Sequence, residues 1–184
     1  VMGMIARLRD DGDASLPKIA RSALLALGAH LEALAGEIRT LERQLMVWHR
    51  ADPTSQRLET IPGVGLITAT ALAASVSDPS VFKSGREFAA FLGLVPRQNS
   101  SGGKDRLGRI SKMGDRYLRK LLVVGATSVI RRAGSNPTKT GAWVRSLMER
   151  KPAKVVTVAM ANKTARIAWA VMTRGEAYRA SPIA

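Results

Sequence analysis

The sequence predicts an all-α protein in which a long N-terminal coiled-coil helix precedes a compact helical domain. Apolar residues make up 46% of the 184 positions and are mostly leucine, alanine and valine, whereas aromatic residues make up only 4%. Extended alternation of apolar and polar residues, which is typical of half-buried strands, is scarce. Apolar residues recur instead at helical spacing, in segments that glycine and proline separate. These observations favour helices throughout.

The charge of the chain indicates a polyanionic partner. With a net charge of +15 and a pI near 11.3, nucleic acid is the expected partner, and an anionic membrane surface is the alternative. No apolar run approaches the roughly 20 residues that span a bilayer, and the N-terminal segment lacks the features of a signal peptide. We therefore expect a cytoplasmic protein with no membrane partner. The absence of cysteine excludes disulfides, thiolate metal ligands and a cysteine nucleophile.

Residues 1–52 predict a coiled-coil dimerisation helix. Ser15 is placed to cap it, and Asp52 with the following proline ends it. An amphipathic helix packed on its own domain is the alternative, and Gly28 favours that alternative slightly because glycine weakens a helix by about 1 kcal/mol. The a/d positions of the coiled coil recur at spacings of four and three and are Ala20, Leu24, Leu27, Leu31, Leu34, Ile38, Leu41, Leu45 and Trp48.

Residues 54–76 match the pattern of a helix-hairpin-helix motif, with the loop sequence Ile-Pro-Gly-Val-Gly at 61–65. Gly63 and Gly65 would let backbone amides at the start of the second helix approach a phosphate group without obstruction. Such contacts hold the nucleic-acid backbone independently of its sequence. The alternative is a plain glycine turn between two core helices, since short glycine motifs also arise by chance.

Capping residues and prolines predict four further helices within the helical domain 53–184. A capping box begins at Ser84, Asp115 is a second cap, and prolines follow Asn136 and Lys151. The expected helices cover about residues 84–92, 115–133, 136–150 and 153–174. Residues 95–114 contain four glycines and few apolar anchors, so we expect a long irregular loop there.

This loop carries the sequence Asn-Ser-Ser-Gly-Gly at 99–103, in a strongly basic part of the chain. Between residues 97 and 132, ten lysines and arginines accompany two acids, a local net charge of +8. Such cations can clamp the pentavalent transition state of phosphoryl transfer. The two histidines, His30 and His49, lie on the N-terminal helix, so a Ser-His-Asp centre is not expected. Taken alone, the residues favour turn chemistry over a catalytic serine.

The cations of this segment are predicted to contact DNA. Lysines and arginines on an exposed helix are more often a solvated face, but here opposing acids are nearly absent, which favours nucleic acid. The acids of the whole chain are scattered, so no metal site is expected on it. The candidate phosphate clamps are Arg97, Lys104, Arg106 and Arg109, and the further DNA-facing residues are Lys112, Arg116 and Arg119.

Three blocks of the sequence resemble a known family. They are LETIPGVGLITATALAA at 58–74, FAAFLGLVPRQNSSGGKDRLGRISKMGDRYLRKLLVVGA at 88–126, and ANKTARIAWAVMTRGEAY at 161–178. Together with the preceding heptad helix, they are similar to the C-terminal half of insertion-sequence transposases whose acidic N-terminal domain has a resolvase-like fold. That group includes RNA-guided recombinases and related site-specific DNA invertases.

The resemblance implies a division of labour. The family's serine precedes a glycine in the middle block, which matches Ser101, with Ser100 as the adjacent alternative; it attacks DNA and becomes linked to it as a phosphoester. Four acidic residues that bind divalent metal, expected to be Mg²⁺, lie on the N-terminal domain, and the composite centre forms between subunits. The implied partners are DNA, a guide RNA in some members, and further copies of the chain in a dimer or tetramer.

The acidic domain is missing from this chain, so we expect a fragment or a truncated form. Alone, it should bind nucleic acid and oligomerise without completing recombination. The alternative function is a non-catalytic nucleic-acid-binding and dimerisation module, in which the serine loop is only a linker.

Overall fold

The computed structural model of the chain describes residues 16–98 and 107–180, together with Gly3. The chain divides into two compact units, Val1–Val47 and Trp48–Ala184. Within the described residues the fold is mainly helical, as the sequence predicts, with two short strands.

Helix α1 spans Lys18–Ala51, and its 34 residues confirm the long N-terminal helix. It ends immediately before Asp52, where the sequence predicts its end. The apolar seam along α1 is exposed, including Leu27, Leu34 and Ile38. The coiled coil that this seam predicts stays a prediction, and these exposed side chains are the surface that it would bury.

The described part of the second unit contains six helices and one strand pair, with short 3₁₀ turns at Pro79–Val81 and Ala133–Ser135. In chain order the elements are α2 (Pro53–Glu59), α3 (Leu66–Ser75), α4 (Gly85–Phe91), β1 (Pro96–Gln98), β2 (Leu107–Ile110), α5 (Arg116–Arg131), α6 (Lys139–Met148) and α7 (Ala153–Arg174).

The structure differs from the sequence prediction at two places. The segment 95–114 is not wholly irregular, because β1 and β2 pair in antiparallel fashion within it. All three residues of β1 are exposed, so this strand has no apolar face for the sequence to reveal. Helix α6 begins at Lys139 rather than near residue 136, because the Thr138 hydroxyl accepts a hydrogen bond from the Gly141 amide and caps the helix there.

The predicted caps at Ser84 and Asp115 are confirmed. The Ser84 hydroxyl accepts a hydrogen bond from the Glu87 amide at 3.3 Å, and the Asp115 carboxylate accepts one from the Leu118 amide at 2.9 Å. Each side chain satisfies an amide that has no partner within its helix. These caps fix the first turns of α4 and α5, the two helices that flank the strand pair in sequence.

The core of the second unit is built around α7. Helices α4 and α5 pack on it, with Phe88 from α4 and Leu118 and Leu122 from α5 fully enclosed. Small residues allow the close approach, since a Cβ on Gly85 of α4 would lie 3.0 Å from the Arg166 carbonyl oxygen. The buried positions of α7 recur at helical spacing and are Val156, Met160, Ala161, Thr164, Ala165, Ala168 and Val171.

A second close approach joins the loop between α2 and α3 to α5. Gly63 has a φ of +84°, which glycine adopts without strain. A methyl group on Gly125 of α5 would overlap the Gly63 carbonyl oxygen, and one on Gly63 would lie 2.7 Å from the Gly125 oxygen. The two backbones therefore touch, and each glycine is required by the other.

We expect Gly125→Ala to lower the free energy of unfolding by about 1–3 kcal/mol, because the added methyl group forces two backbones apart in a packed region. Urea unfolding followed by circular dichroism measures the change. Gly134→Ala is the matched control, since a Cβ there meets no atom within 4 Å, and it should change the stability by less than about 0.5 kcal/mol. Equal effects of the two substitutions would contradict this account of the contact.

Candidate nucleic-acid interface

The strongly basic segment of the chain contains the strand pair. Pro96 pairs with Ile110 and Gln98 with Leu107, with an irregularity in register between them. The residues that join the two strands, 99–106, lie outside the described residues, and the roles assigned to four of them stay predictions. These four are Ser100, Ser101, Lys104 and Arg106.

Hydrogen bonds anchor the strand pair at the end where the chain enters β1 and leaves β2. The Ser111 amide donates to the Val95 carbonyl at 2.8 Å, and the Arg97 guanidinium donates to the Ser111 carbonyl at 3.2 Å. The Asn162 side-chain amide of α7 donates to the Leu94 carbonyl at 3.1 Å. The strands are thus tied to each other and to the central helix of the core.

The turn at 111–114, which follows β2, is fixed by two glycines that each contact the opposite backbone. Gly93 has a φ of +69° and Gly114 a φ of +84°. A methyl group on Gly93 would overlap the Met113 carbonyl oxygen, and one on Gly114 would overlap the Phe91 carbonyl oxygen. No other residue type fits at either position without moving the backbone.

Arg119 closes the same contact from α5. Its guanidinium donates to the Leu92 carbonyl at 3.0 Å and to the Met113 carbonyl at 3.2 Å. The Lys112 amide donates to the Gly93 carbonyl at 3.1 Å, and Lys112 itself has a φ of +56°. A non-glycine residue in this region is uncommon and persists only where its surroundings fix it.

The structure separates the predicted cations into two sets. Arg97 and Arg119 donate to backbone oxygens and hold the strand pair and the turn, a structural role that the sequence does not reveal. Arg109, Lys112 and Arg116 are exposed. Arg97 is exposed as well, and Arg119 alone of the five is half-buried; the contact of any of the five with DNA stays a prediction.

A single acid, Asp115, lies between residues 107 and 132. Its carboxylate accepts hydrogen bonds from the Tyr117 and Leu118 amides at 2.8 and 2.9 Å. Asp115 is therefore engaged as a helix cap at the positive end of the α5 dipole. Its carboxylate offsets only one of the charges along this surface.

The glycines of the predicted helix-hairpin-helix motif differ in their surroundings. Gly63 contacts Gly125, so its presence has a structural reason. Gly65 begins α3 with extended backbone, no side-chain cap, and open space where a Cβ would be. It borders a cavity of about 400 Å³ that Ser128, Arg132 and Asn136 also line. Gly63 lines the same cavity and also positions the loop through its contact with Gly125; phosphate binding by either glycine and the motif itself stay predictions.

An open groove of about 1400 Å³ runs along α7. Trp143, Val155, Val158 and Ile167 contribute to its apolar lining. The Lys163 ammonium lies over the Trp143 ring, 4.6 Å from its centroid. Burial, and to a lesser degree the neighbouring Arg166, lowers the pKa of Lys163 from its usual value of 10.5. Six cations border the groove, and they are Arg86, Arg109, Lys112, Lys154, Lys163 and Arg166.

Four of these six cations are missed by sequence reasoning. Arg86 comes from α4, and Lys154, Lys163 and Arg166 come from α7, so they form no basic run in the sequence. The available signal is the spacing of the last three along one helix, at intervals of nine and three residues. That spacing is too sparse to separate a binding face from an ordinary solvated one.

A serine, a histidine and a carboxylate do meet, but far in sequence from the predicted nucleophile. The Nδ1 atom of His49 lies 2.7 Å from the Ser55 Oγ atom, and its Nε2 atom lies 2.9 Å from the Glu59 carboxylate. Ser55 is fully buried, so no substrate reaches its hydroxyl. The group joins α2 to the end of α1 and is structural, as a nucleophile must be accessible.

Neither a metal-binding cluster nor a membrane-spanning helix is found within residues 16–98 and 107–180. No three histidine, aspartate or glutamate side chains lie close enough together there to hold a metal ion. Among the helices of that same part, none has the length and apolar character required to cross a membrane.

Fold and surface together define a strongly basic, mainly helical domain that presents an anchored strand pair among exposed cations. Residues 55–141 match the model of the transposase IS116/IS110/IS902 family. Through this segment the chain is similar to that family of transposases.

Several relatives of the chain are also named as transposases. It is 49% identical over 168 residues to a putative transposase of Sinorhizobium fredii, covering 91% of this chain and 43% of the relative. It is 45% identical over 178 residues to a probable family 20 transposase of Pseudomonas aeruginosa, covering 97% and 53%. A transposase for the insertion sequence element IS1328 of Yersinia enterocolitica is 43% identical over 163 residues, covering 89% and 49%. The chain thus spans about half the length of these relatives.

Proposed function

We propose that the chain is the DNA-binding part of a transposase and that it supplies the nucleophile, Ser101, from the segment between β1 and β2. The observation that supports this most is the anchoring of both strands to the helical core, through Asn162 and through Arg119 and the turn it holds. A nucleophile for phosphoryl transfer has to be held in register with its target. Exposed Arg109, Lys112 and Arg116 follow the segment directly.

In the proposed reaction the Ser101 hydroxyl oxygen attacks a DNA phosphorus atom. A serine–phosphate ester forms, the bond from phosphorus to one deoxyribose oxygen breaks, and the serine proton is lost while the departing oxygen gains one. Negative charge grows on the phosphoryl oxygens in the transition state, and fixed cations stabilise it. Arg109 and Lys112, with Lys104 and Arg106 nearby in sequence, are assigned this role.

The metal-binding carboxylates belong outside this chain in our proposal. The described residues offer no converging set of donors, so no step is assigned to a metal ion held by them. Mg²⁺ is expected on an acidic segment contributed by the rest of the protein. The partners proposed for the full assembly are DNA, a guide RNA where the element encodes one, and further copies of the chain.

Binding to the DNA backbone is assigned to the exposed cations after β2 and to the start of α3 at Gly65. These groups contact phosphate, so they hold duplex DNA without reading its sequence. The exposed apolar seam of α1 is assigned to a coiled-coil dimer, which would bring two such surfaces together.

Duplex binding should be strong and steeply dependent on salt. In fluorescence anisotropy with a labelled 25-base-pair duplex, the logarithm of the association constant should fall against the logarithm of salt concentration with a slope of about −3 or steeper. Arg116→Ala should make the slope shallower by about 1. Arg174→Ala, which removes an exposed arginine outside the predicted set, is the matched control and should leave the slope unchanged. A slope near zero for the unaltered chain would refute duplex binding through phosphates.

The nucleophile is tested in the full-length protein with Mg²⁺ and labelled duplex from the ends of its element. A denaturation-resistant protein–DNA adduct should form with the unaltered protein and with Ser100→Ala, and should be absent with Ser101→Ala. Duplex affinity of Ser101→Ala should stay within about twofold, because phosphate contacts dominate affinity. The 184-residue chain alone should form no adduct.

Each contrary outcome of this experiment has a distinct meaning. Loss of the adduct in Ser100→Ala alone would identify Ser100 as the nucleophile. Strand exchange by Ser101→Ala supports the non-catalytic binding module instead. Metal-dependent cleavage by the 184-residue chain overturns the division of labour.

The coiled coil is tested by placing a charge in the α1 seam. Leu34→Glu should convert a dimer to a monomer in analytical ultracentrifugation, because a carboxylate cannot be buried unpaired between two helices. Ala29→Glu introduces the same charge at an exposed position outside the seam and should leave the dimer intact. A Leu34→Glu chain that remains dimeric would exclude this seam as the interface.

A further inference from the structure

Met113 is an apolar side chain presented to solvent in the middle of the basic surface. It is 67% exposed, and its neighbours Lys112 and Arg116 are exposed as well. Single exposed apolar residues are ordinary on protein surfaces and need no explanation. What distinguishes Met113 is the way in which its backbone is held.

Four features fix the backbone of the turn that carries Met113. Gly93 and Gly114 have positive φ angles and contact opposing carbonyl oxygens. Lys112 also has a positive φ, and Arg119 donates to the Met113 carbonyl at 3.2 Å. These constraints bury little of the Met113 side chain itself. They fix the backbone that carries a mostly exposed apolar side chain, an arrangement that suits a surface completed by a ligand.

We propose that Met113 is a wedge that inserts between two adjacent base pairs of the duplex bound on this surface. The inference rests on the proposed DNA-binding function and adds to it a deformation of the duplex beside the serine segment. Apolar side chains, methionine among them, enter base steps, unstack them partly and kink the duplex. An unbranched thioether is slim and polarizable, which suits the gap between two stacked bases.

The charges around Met113 match the requirements of such a wedge. Insertion brings the phosphates on both sides of the opened step close to the protein, where Lys112 and Arg116 can neutralise them. Asp115 lies between these residues in sequence, but its carboxylate is directed to the amides of α5. A rigid turn favours insertion as well, since a mobile backbone would lose additional conformational entropy when the side chain is inserted.

Two exposed aromatic residues, Phe91 and Tyr117, are weaker candidates for the same role. Phe91 packs its ring against Phe82, with centroids 5.1 Å apart. Tyr117 is 55% exposed on the first turn of α5, but the contacts of Gly93, Gly114 and Arg119 are made with the segment before it. Tyr117 therefore serves as the comparison residue in the test.

The test is the unwinding of a relaxed plasmid by the chain in the presence of topoisomerase I, read as a shift in the topoisomer distribution on a gel. Insertion of a side chain unwinds the duplex wherever it occurs, so no target sequence has to be known. We expect unwinding with the unaltered chain and with Met113→Leu, and its loss with Met113→Ala. Met148→Ala is the matched control, because Met148 is 41% exposed at the end of α6, and it should unwind normally.

Affinity and stability are measured on the same samples. Met113→Ala should bind duplex within about threefold of the unaltered chain, since phosphate contacts supply most of the affinity, and its urea unfolding curve should coincide with that of the unaltered chain. Normal unwinding by Met113→Ala, or its loss in Tyr117→Ala alone, would overturn the role of Met113. Duplex binding without unwinding by the unaltered chain overturns this proposal alone, whereas absence of duplex binding overturns the proposed function with it.

Discussion

The close contact of two glycines with opposing carbonyl oxygens, at Gly93 and Gly114, determines where the basic surface is presented. The chain leaves the core through Gly93, forms the strand pair, and re-enters at Gly114. Arg119 joins both ends by donating to the Leu92 and Met113 carbonyls. Because α4 and α5 pack in turn on α7, the helical core fixes the position of the strand pair. A side chain at either glycine would displace the strand pair and the turn after it, and with them Arg97, Arg109 and Lys112, even if each helix remained intact.

The parts of the fold that depend on local interactions could be predicted, and those that depend on distant backbone contacts could not. Ser84 and Asp115 cap their helices through amides two or three residues away, so the sequence pattern is sufficient. The start of α6 was predicted too early, near residue 136; Asn136 instead accepts a hydrogen bond from the Thr138 amide, and Thr138 caps the helix. Strands β1 and β2 are very short and all of β1 is exposed, and the hydrogen bond from Asn162 of α7 that ties the pair to the core is encoded by no local signal.

The charged residues of the candidate site show the same limit of prediction from sequence. Counting charges located the basic segment correctly, because net charge is a property of composition. It could not show that Arg97 and Arg119 donate to backbone oxygens, since they are identical in type to Arg109 and Arg116 and close to them in sequence. Arg166 at the groove was missed for the opposite reason, because only the fold brings it beside Arg109. Sequence thus identified the chemistry of the surface, and the fold was needed to assign each charge to it.

The scarcity of acids on this surface bears on the proposed division of labour. A carboxylate about 4 Å from an arginine gains about 4 kcal/mol in a partly solvated site, so carboxylates placed among these cations would pair with them. Such pairing would remove the charge that holds phosphate and would also occupy the oxygens that a divalent metal requires. The one acid between residues 107 and 132, Asp115, avoids this by serving as a cap for α5. In the proposed assembly, acids on a separate segment would meet this surface after DNA phosphates had neutralised its positive charge. The carboxylates would then remain available to bind metal, and the cations would remain available to bind phosphate.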